Sequence, residues 1–143
     1  MDKVFVDSDI ILDFLLDRSP FAEPALKLFT LAEMGRVKLF TSGIVFSNCY
    51  YVLRRVASHD KVIKKLATIS LLFDFTLLER QVVLDALQSS FRDFKDALQN
   101  FSAIGSGIQI LITRNIRDYK WSSLAVMSPD QFLGGWRLVD KKE

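Results

Sequence analysis

Residues 4–13 read VFVDSDIILD, an apolar triplet that runs into a group of carboxylates and then into a second apolar stretch. The triplet is made of β-branched and aromatic residues and predicts a short buried strand over residues 4–6. Apolar residues then recur at helical spacing as far as Leu16, after which a Ser-Pro pair ends the pattern. A strand that passes directly into a helix, with Asp7 at the junction, predicts an α/β fold.

The rest of the chain alternates in the same way between strand and helix patterns. Further strands are predicted over residues 37–41, 73–78, 108–112 and 125–127. Helices are predicted over residues 24–35, 44–56, 61–72, 79–87 and 94–106, with one further turn at 131–133. Because helices separate successive strands, we expect a central parallel sheet flanked by helices in three α/β/α layers. One domain should span residues 1–134, followed by a polar, loose tail over residues 135–143.

Composition narrows the class of protein. A chain of 143 residues that is half hydrophobic and one quarter charged can bury a core without disulfides. Its single cysteine and single histidine exclude an internal disulfide and a zinc site. The beginning of the sequence lacks a signal-peptide pattern, and no run approaches the roughly 18 apolar residues of a membrane span. We therefore expect a cytoplasmic protein, whose net charge of +2 is too small to indicate nucleic-acid binding by itself.

Polar side chains gather where the predicted strands end. They are Asp7, Ser8 and Asp9 after the first strand, Thr113, Arg114, Asn115 and Asp118 after the strand at 108–112, and Asp93 and Asp96 around the start of the helix before it. The carboxyl ends of parallel strands meet at one edge of a sheet, where ligands bind. Carboxylates gathered there repel one another unless a cation lies between them, and Mg²⁺ and Mn²⁺ prefer such oxygen ligands. The pattern favours a metal site that hydrolyses a phosphodiester.

Several of these residues also have a purely structural interpretation. An Asp at the end of a strand commonly caps the following helix, and Asp7 is equally suited to that role. Asp93 and Asp96 are three residues apart, so one of them is suited to capping the helix that begins there. Residues 113–115 also form a typical turn and cap sequence. Only the combination of these segments favours a functional site.

A second group of charges is basic and comprises Arg54, Arg55, Lys61, Lys64 and Lys65. Such a group is suited to nucleic-acid phosphates, and Arg54, Arg55, Lys64 and Lys65 are predicted to contact them. The alternative is that these side chains are the solvated faces of two helices.

Four segments, taken in this order, resemble the PIN domain family, particularly its small bacterial members that include toxin–antitoxin ribonucleases. They are VFVDSDIILD at 4–13, TS at 41–42 leading into NCYYVL at 48–53, DFKDALQ at 93–99 and ITRNIRDY at 112–119. The segment MSPDQFL at 127–133 is similar to the family's ending, so the likeness extends from Val4 to Leu133.

The resemblance implies a PIN-like α/β/α fold and metal-dependent cleavage of single-stranded RNA. By match of motif, Asp7, Asp96 and Asp118 would be the catalytic, metal-binding acids. Asp9, Asp93 and Asn48 would be further candidate ligands, and Ser8, Thr113 and Asn115 would give polar support. The resemblance also implies Mg²⁺ or Mn²⁺ as cofactor, and RNA and an antitoxin protein as partners. A second copy of the chain is a further candidate partner, although the sequence does not indicate whether a dimer forms.

One position departs from the family pattern. Where the family normally has a glutamate, in the helix after Thr41-Ser42, this chain has Asn48. Asparagine keeps an oxygen but loses a charge and one methylene of reach, while Asp9 stands where the pattern more usually has Asn. Two interpretations therefore remain open: a ribonuclease, and a binding module that no longer cleaves. A third, a phosphotransfer or receiver-like domain, is disfavoured because no suitably placed lysine follows a late strand.

Overall fold

A computed structural model of the protein describes the backbone of residues 1–142 and the side chains of residues 1–135. Within these residues the strands are β1 (Asp2–Val6), β2 (Val37–Thr41), β3 (Phe73–Phe75), β4 (Ile110–Ile112) and β5 (Ala125–Met127). All of them pair in parallel, in the order β3-β2-β1-β4-β5. The predicted parallel sheet is confirmed.

Helices lie between the strands as the alternation predicted. They are α1 (Ser8–Leu15), α2 (Ala22–Glu33), α3 (Gly43–Leu53), α4 (His59–Ser70), α5 (Arg80–Gln88), α6 (Phe94–Gly105) and α7 (Pro129–Lys142), with a 3₁₀ turn at Ile116–Tyr119. The chain moves from β1 to β2 to β3 towards one edge and then returns to β4 and β5 on the other side of β1. Because parallel crossovers are right-handed, this reversal places α1 to α4 on one face and α5 and α6 on the other.

The central position of β1 follows from its sequence. Val4, Phe5 and Val6 are fully buried, and a strand covered on both faces needs such a continuous apolar run. Val4 pairs with Leu39 on one side and with Ile110 on the other. The strand therefore ends at a fixed place, with Asp7 directly beyond it.

Most helix boundaries differ from the predicted ones by one to three residues, and two strand boundaries differ for reasons of hydrogen bonding. β3 ends at Phe75 because the next residue, Thr76, donates its N–H to the carbonyl oxygen of Thr41 at 2.8 Å, where β2 also ends. β4 begins only at Ile110. The N–H of Ile108 donates to the carbonyl oxygen of Ala103 in α6 at 3.0 Å, so residue 108 still belongs to the end of the helix. The helix predicted to reach residue 56 ends at Leu53.

The end of the chain also differs from the expectation. α7 runs from Pro129 to Lys142, whereas one helical turn at 131–133 and a loose tail from residue 135 were predicted. The backbone through residue 142 is therefore helical, and the side chains beyond Gly135 lie outside the described residues. Among the described residues, no helix combines the length and the apolar character needed to cross a membrane.

Candidate active site

The candidate site lies where β1 and β4 end, the two neighbouring strands at which the chain reverses its course across the sheet. Open α/β sheets bind their ligands at such switch points. The N–H of Asp7 donates to the carbonyl oxygen of Ile112 at 3.0 Å, and the N–H of Thr113 donates to that of Met127 at 3.0 Å. The sheet itself therefore brings the segments after β1 and β4 together.

Asp7 is the centre of a buried hydrogen-bond network. Its carboxylate is the N-cap of α1, since Oδ1 accepts the N–H of Ser8 at 2.7 Å. Oδ2 accepts the hydroxyl of Thr113 at 3.0 Å, and Oδ1 accepts Nε2 of Gln99 at 3.3 Å. Asp7 is only 4% exposed. The capping interpretation is thus correct, and it leaves the carboxylate inside a polar cluster.

Asp96 joins the same network from α6, on the opposite face of the sheet. Its N–H donates to Oδ1 of Asp93 at 3.0 Å, so Asp93 is the N-cap of α6. Oδ1 of Asp96 lies 3.3 Å from the hydroxyl of Tyr119 and 3.3 Å from Nζ of Lys95. Because the Tyr119 hydroxyl also lies 3.3 Å from Oδ2 of Asp7, one phenol oxygen stands between the two carboxylates.

Tyr119 remains a hydrogen-bond donor in this position. Burial, followed by the charges of Asp7 and Asp96, raises the pKa of Tyr119 far above its ordinary value. The hydroxyl has one proton, so it donates to one carboxylate at a time and accepts Nε2 of Gln99 at 2.7 Å. Gln99 and Tyr119 together therefore hold Asp7 and Asp96 at their spacing.

Asp9 lies beside this network with one oxygen unpaired. Oδ2 accepts the backbone N–H of Arg114 at 2.8 Å and lies 3.3 Å from the hydroxyl oxygen of Thr113, whose one proton goes to Asp7 or to Asp9 at a time. Oδ1 is buried and has no hydrogen-bond partner within the described part of the chain. Burial, followed by the charge of Asp7, raises the pKa of Asp9 to about 6.

These residues fit a divalent cation by their chemistry. Burial raises the pKa of Asp96 to about 6, outweighing the ammonium of Lys95, which lowers it. After burial, the charge of Asp7 also raises the pKa of both Asp9 and Asp96, and Oδ1 of Asp9 has no hydrogen-bond partner among the described residues, so a cation here would relieve the repulsion between these carboxylates. No group of three or more His, Cys, Asp or Glu side chains that could hold a metal is found among the described residues. Two carboxylates nevertheless suffice for Mg²⁺, which usually keeps water and substrate phosphate as its other ligands.

Asn48 reaches the rim of the site through Ser8. Its Nδ2 donates to Oγ of Ser8 at 2.9 Å. A glutamate in its place has no proton to donate, so this contact belongs to the substitution in this chain. The amide oxygen of Asn48 is the atom left to act as a ligand.

The side chains of Asp118 and Asn115 lie outside the network, although the backbone N–H of Asn115 donates to Oγ1 of Thr113 at 3.1 Å. Both are exposed, and the N–H of Asp118 donates to the backbone oxygen of Asn115 at 3.0 Å. The 3₁₀ turn directs Tyr119 inward and leaves Asp118 on a neighbouring cavity. The role assigned to Asp118 by resemblance stays a prediction.

Gln99 and Tyr119 were not predicted to be site residues from the sequence. Gln99 could have been predicted, because it lies three residues after Asp96 and hence on the same face of a helix. Tyr119 follows Asp118 directly, and the sequence does not indicate which of the two side chains turns towards the site.

The predicted basic residues lie elsewhere. Lys64 and Lys65 are on α4 and line a groove with Phe14 and Leu72. Arg54 is the C-cap residue of α3 and stands over the ring of Tyr50, and Arg55 is exposed. No hydrogen bond or ion pair joins these four side chains to Asp7 or Asp96 within the described residues.

Comparison with known proteins agrees with the fold. A sequence model of the PIN domain matches residues 3–117. The chain is also 22% identical over 142 residues to Ribonuclease VapC1 of Aquifex aeolicus, a match that covers 96% of this chain and 98% of that protein.

Two solved structures share the architecture. The first is VapBC2 from Rickettsia felis, bound to a DNA fragment from its promoter, with a TM-score of 0.67, 16% identity, and coverage of 87% of this chain and 96% of that one. The second is Mycobacterium tuberculosis VapC20, a toxin that cleaves the sarcin–ricin loop, with a TM-score of 0.64, 16% identity, and coverage of 85% and 98%. These structures show the likeness of fold, and the PIN domain match spans most of the sequence. The chain belongs to the PIN domain family.

Proposed function

We propose that this protein is a divalent-metal-dependent endoribonuclease that hydrolyses single-stranded RNA in the cytoplasm. One observation carries the proposal: Asp7 and Asp96, 89 positions apart, are both buried at the carboxyl edge of the sheet and share the hydroxyl of Tyr119. Burial raises the pKa of Asp96 to about 6, and a buried carboxyl group with such a shift is typical of catalytic sites. The similarity to Ribonuclease VapC1 supports the same chemistry.

Each residue of the site has a role in this proposal. Asp7 and Asp96 would hold Mg²⁺ or Mn²⁺. Asp118, whose side chain lies outside the network, stays the candidate third acid, and Asp9, Asp93 and Asn48 stay the candidates for further ligands. When bound, the ion supplies Lewis acidity and lowers the pKa of a water molecule. Thr113 orients Asp7 by its hydrogen bond, and Gln99 and Tyr119 keep Asp7 and Asp96 apart. Ser8 and Asn115 supply polar support at the rim.

The proposal extends to a biological role as the toxin of a toxin–antitoxin pair. The support is the similarity to a VapC ribonuclease and to structures of VapBC2 and of the toxin VapC20. An antitoxin protein, and a second copy of this chain, are the protein partners that this role implies.

A second candidate function is a nucleic-acid-binding module that no longer cleaves. Asn48 favours it, because its amide lacks the charge of the family's glutamate and is already bonded to Ser8. A site with one carboxylate fewer compensates the charge of a metal less well.

A cleavage assay distinguishes the two candidates. The purified protein is incubated with a panel of single-stranded RNAs and matched duplexes, with Mg²⁺, with Mn²⁺, and with a chelator. The first candidate predicts cleavage of single strands that requires metal. Binding of the same RNAs without cleavage under any metal condition would select the second candidate.

A further inference from the structure

A cavity of about 620 Å³ opens next to the carboxylate network. It shares structural elements with the candidate site, because Asp93, which lines it, also caps the helix that carries Asp96. The 3₁₀ turn borders both the candidate site and the cavity. Tyr119 belongs to the carboxylate network, whereas Asp118 and Lys120, the residue directly after the turn, line the cavity. A volume of this size lies within the range of about 300–1,000 Å³ that is usual for ligand sites.

The charge of the lining is predominantly positive. Four cations, Arg92, Arg114, Arg117 and Lys120, face two carboxylates. Arg114 is engaged with Asp13. Arg92 and Arg117 are exposed and form no ion pair with another described residue. These two guanidiniums are therefore available to an anionic ligand that reaches the carboxylates.

An aromatic side chain completes the cavity. Trp121 is half-buried, packs at 5.8 Å against Phe91, and has Nζ of Lys120 at 4.7 Å over its ring. Cationic grooves combined with aromatic faces are the usual means of binding single-stranded nucleic acid, since cations track phosphates while bases stack. The exposed Lys120 can turn from the indole to a phosphate.

We propose that this cavity is the subsite that binds the RNA strand next to the cleaved phosphate, with Arg92 and Arg117 on phosphates and Trp121 against a base. The inference rests on the proposed ribonuclease function and places the strand here, not on the surface formed by Arg54, Arg55, Lys64 and Lys65. Lys64 and Lys65 line a different groove, which shares no residue with this cavity, and neither Arg54 nor Arg55 lines the cavity.

Binding is measured with a labelled single-stranded RNA of about 12 nucleotides, in chelator so that no cleavage occurs, at several salt concentrations. The full chain is compared with R92A/R117A and with R54A/R55A, a matched control that also removes two positive charges. Each lost phosphate contact should lower the slope of log affinity against log salt by about 0.7, so R92A/R117A should lower it by about 1.4 and weaken binding at least tenfold. R54A/R55A should change neither the slope nor the affinity. R92K/R117K, which keeps both positive charges, should have the slope of the wild type.

Fluorescence reports the location independently. The chain has two tryptophans, so Trp136→Phe leaves Trp121 as the reporter, and the same RNA should change its emission. An unchanged slope in R92A/R117A together with a reduced slope in R54A/R55A would overturn the inference, as would binding without any change in Trp121 emission. In either case RNA binding by the wild type would leave the proposed function intact. A wild type that neither binds nor cleaves RNA would remove both.

Discussion

Arg114 binds Asp13 through two hydrogen bonds, with Nε at 2.6 Å from one carboxylate oxygen and Nη2 at 2.8 Å from the other. Asp13 is fully buried, and Nε of Arg18 lies 3.1 Å from it. The guanidinium of Arg114 also stands 3.9 Å from the centre of the Phe21 ring. Since the backbone N–H of Arg114 donates to Asp9, this ion pair fixes the chain that follows β4 beside the candidate site.

Removing Arg114 should therefore destabilise the protein. Arg114→Ala leaves the buried carboxylate of Asp13 with Arg18 alone, and we expect the free energy of unfolding to fall by about 2–3 kcal/mol, below the full effect for a wholly buried pair because Arg114 is partly exposed. Urea denaturation measures the change, with Arg55→Ala, an exposed arginine, as the control. A difference below about 0.5 kcal/mol would show that the pair has no structural importance.

Tyr119→Phe tests whether the phenol oxygen holds Asp7 and Asp96 for a metal. Loss of a side chain that orients metal ligands typically costs about 10-fold to 100-fold in affinity, so we expect Mn²⁺ binding to weaken by about 10-fold. Calorimetry of the metal-free protein measures it. Tyr51→Phe, at a 67% exposed tyrosine, should bind Mn²⁺ as the wild type does. Equal affinity in both variants would rule out the positioning role.

Stability should depend on pH through Asp9. Its pKa is about 6 in the folded protein and near the ordinary value of 3.8 when unfolded. Between these values the folded state binds more protons than the unfolded state, so the contribution of Asp9 to the free energy of unfolding falls as the pH rises. Metal-free wild type should thus lose more stability than Asp9→Asn between about pH 5 and about pH 7. Chemical denaturation at the two pH values measures both losses, and equal losses would contradict the raised pKa.

Asn48→Glu restores the acid normally found at this position in the family. An added carboxylate raises the affinity of an oxygen site for Mg²⁺, and we expect a gain of about tenfold. Asn48→Gln is the matched control, since it adds the methylene without the charge. If the glutamate variant binds Mg²⁺ no better than the glutamine variant, position 48 does not belong to the metal site.

The fold could be predicted largely because its signals are local. The strands at 37–41 and 125–127 have the predicted bounds, and Ser42 caps α3 by accepting the N–H of Val45 at 3.2 Å, a local signal of the same kind. The end of β3 could not be predicted in this way, because it depends on where its partner β2 ends. α7 was predicted to be shorter than it is, because the apolar pattern of the sequence weakens after Leu133.

The site could be predicted only in part. Asp7, Asp9 and Thr113 lie at strand ends, and a parallel sheet necessarily brings such ends together. Tyr119 and Asp118 are adjacent, and the 3₁₀ turn between β4 and β5 determines which of them faces Asp7. The sequence contains no local pattern for that rotation. Gln99 joins the network only once α6 has packed across the end of β1.

The claim that Asp7 and Asp96 form the centre of a ribonuclease is tested most directly by the single-turnover rate of RNA cleavage. The wild type is compared with Asp7→Asn, which keeps the capping oxygen, with Asp96→Asn, and with Asp60→Asn at an exposed position. We predict that cleavage in Mn²⁺ falls by at least about 100-fold in the first two variants and is unchanged in the third. Cleavage at the wild-type rate in both Asp7→Asn and Asp96→Asn would contradict the assignment of the site.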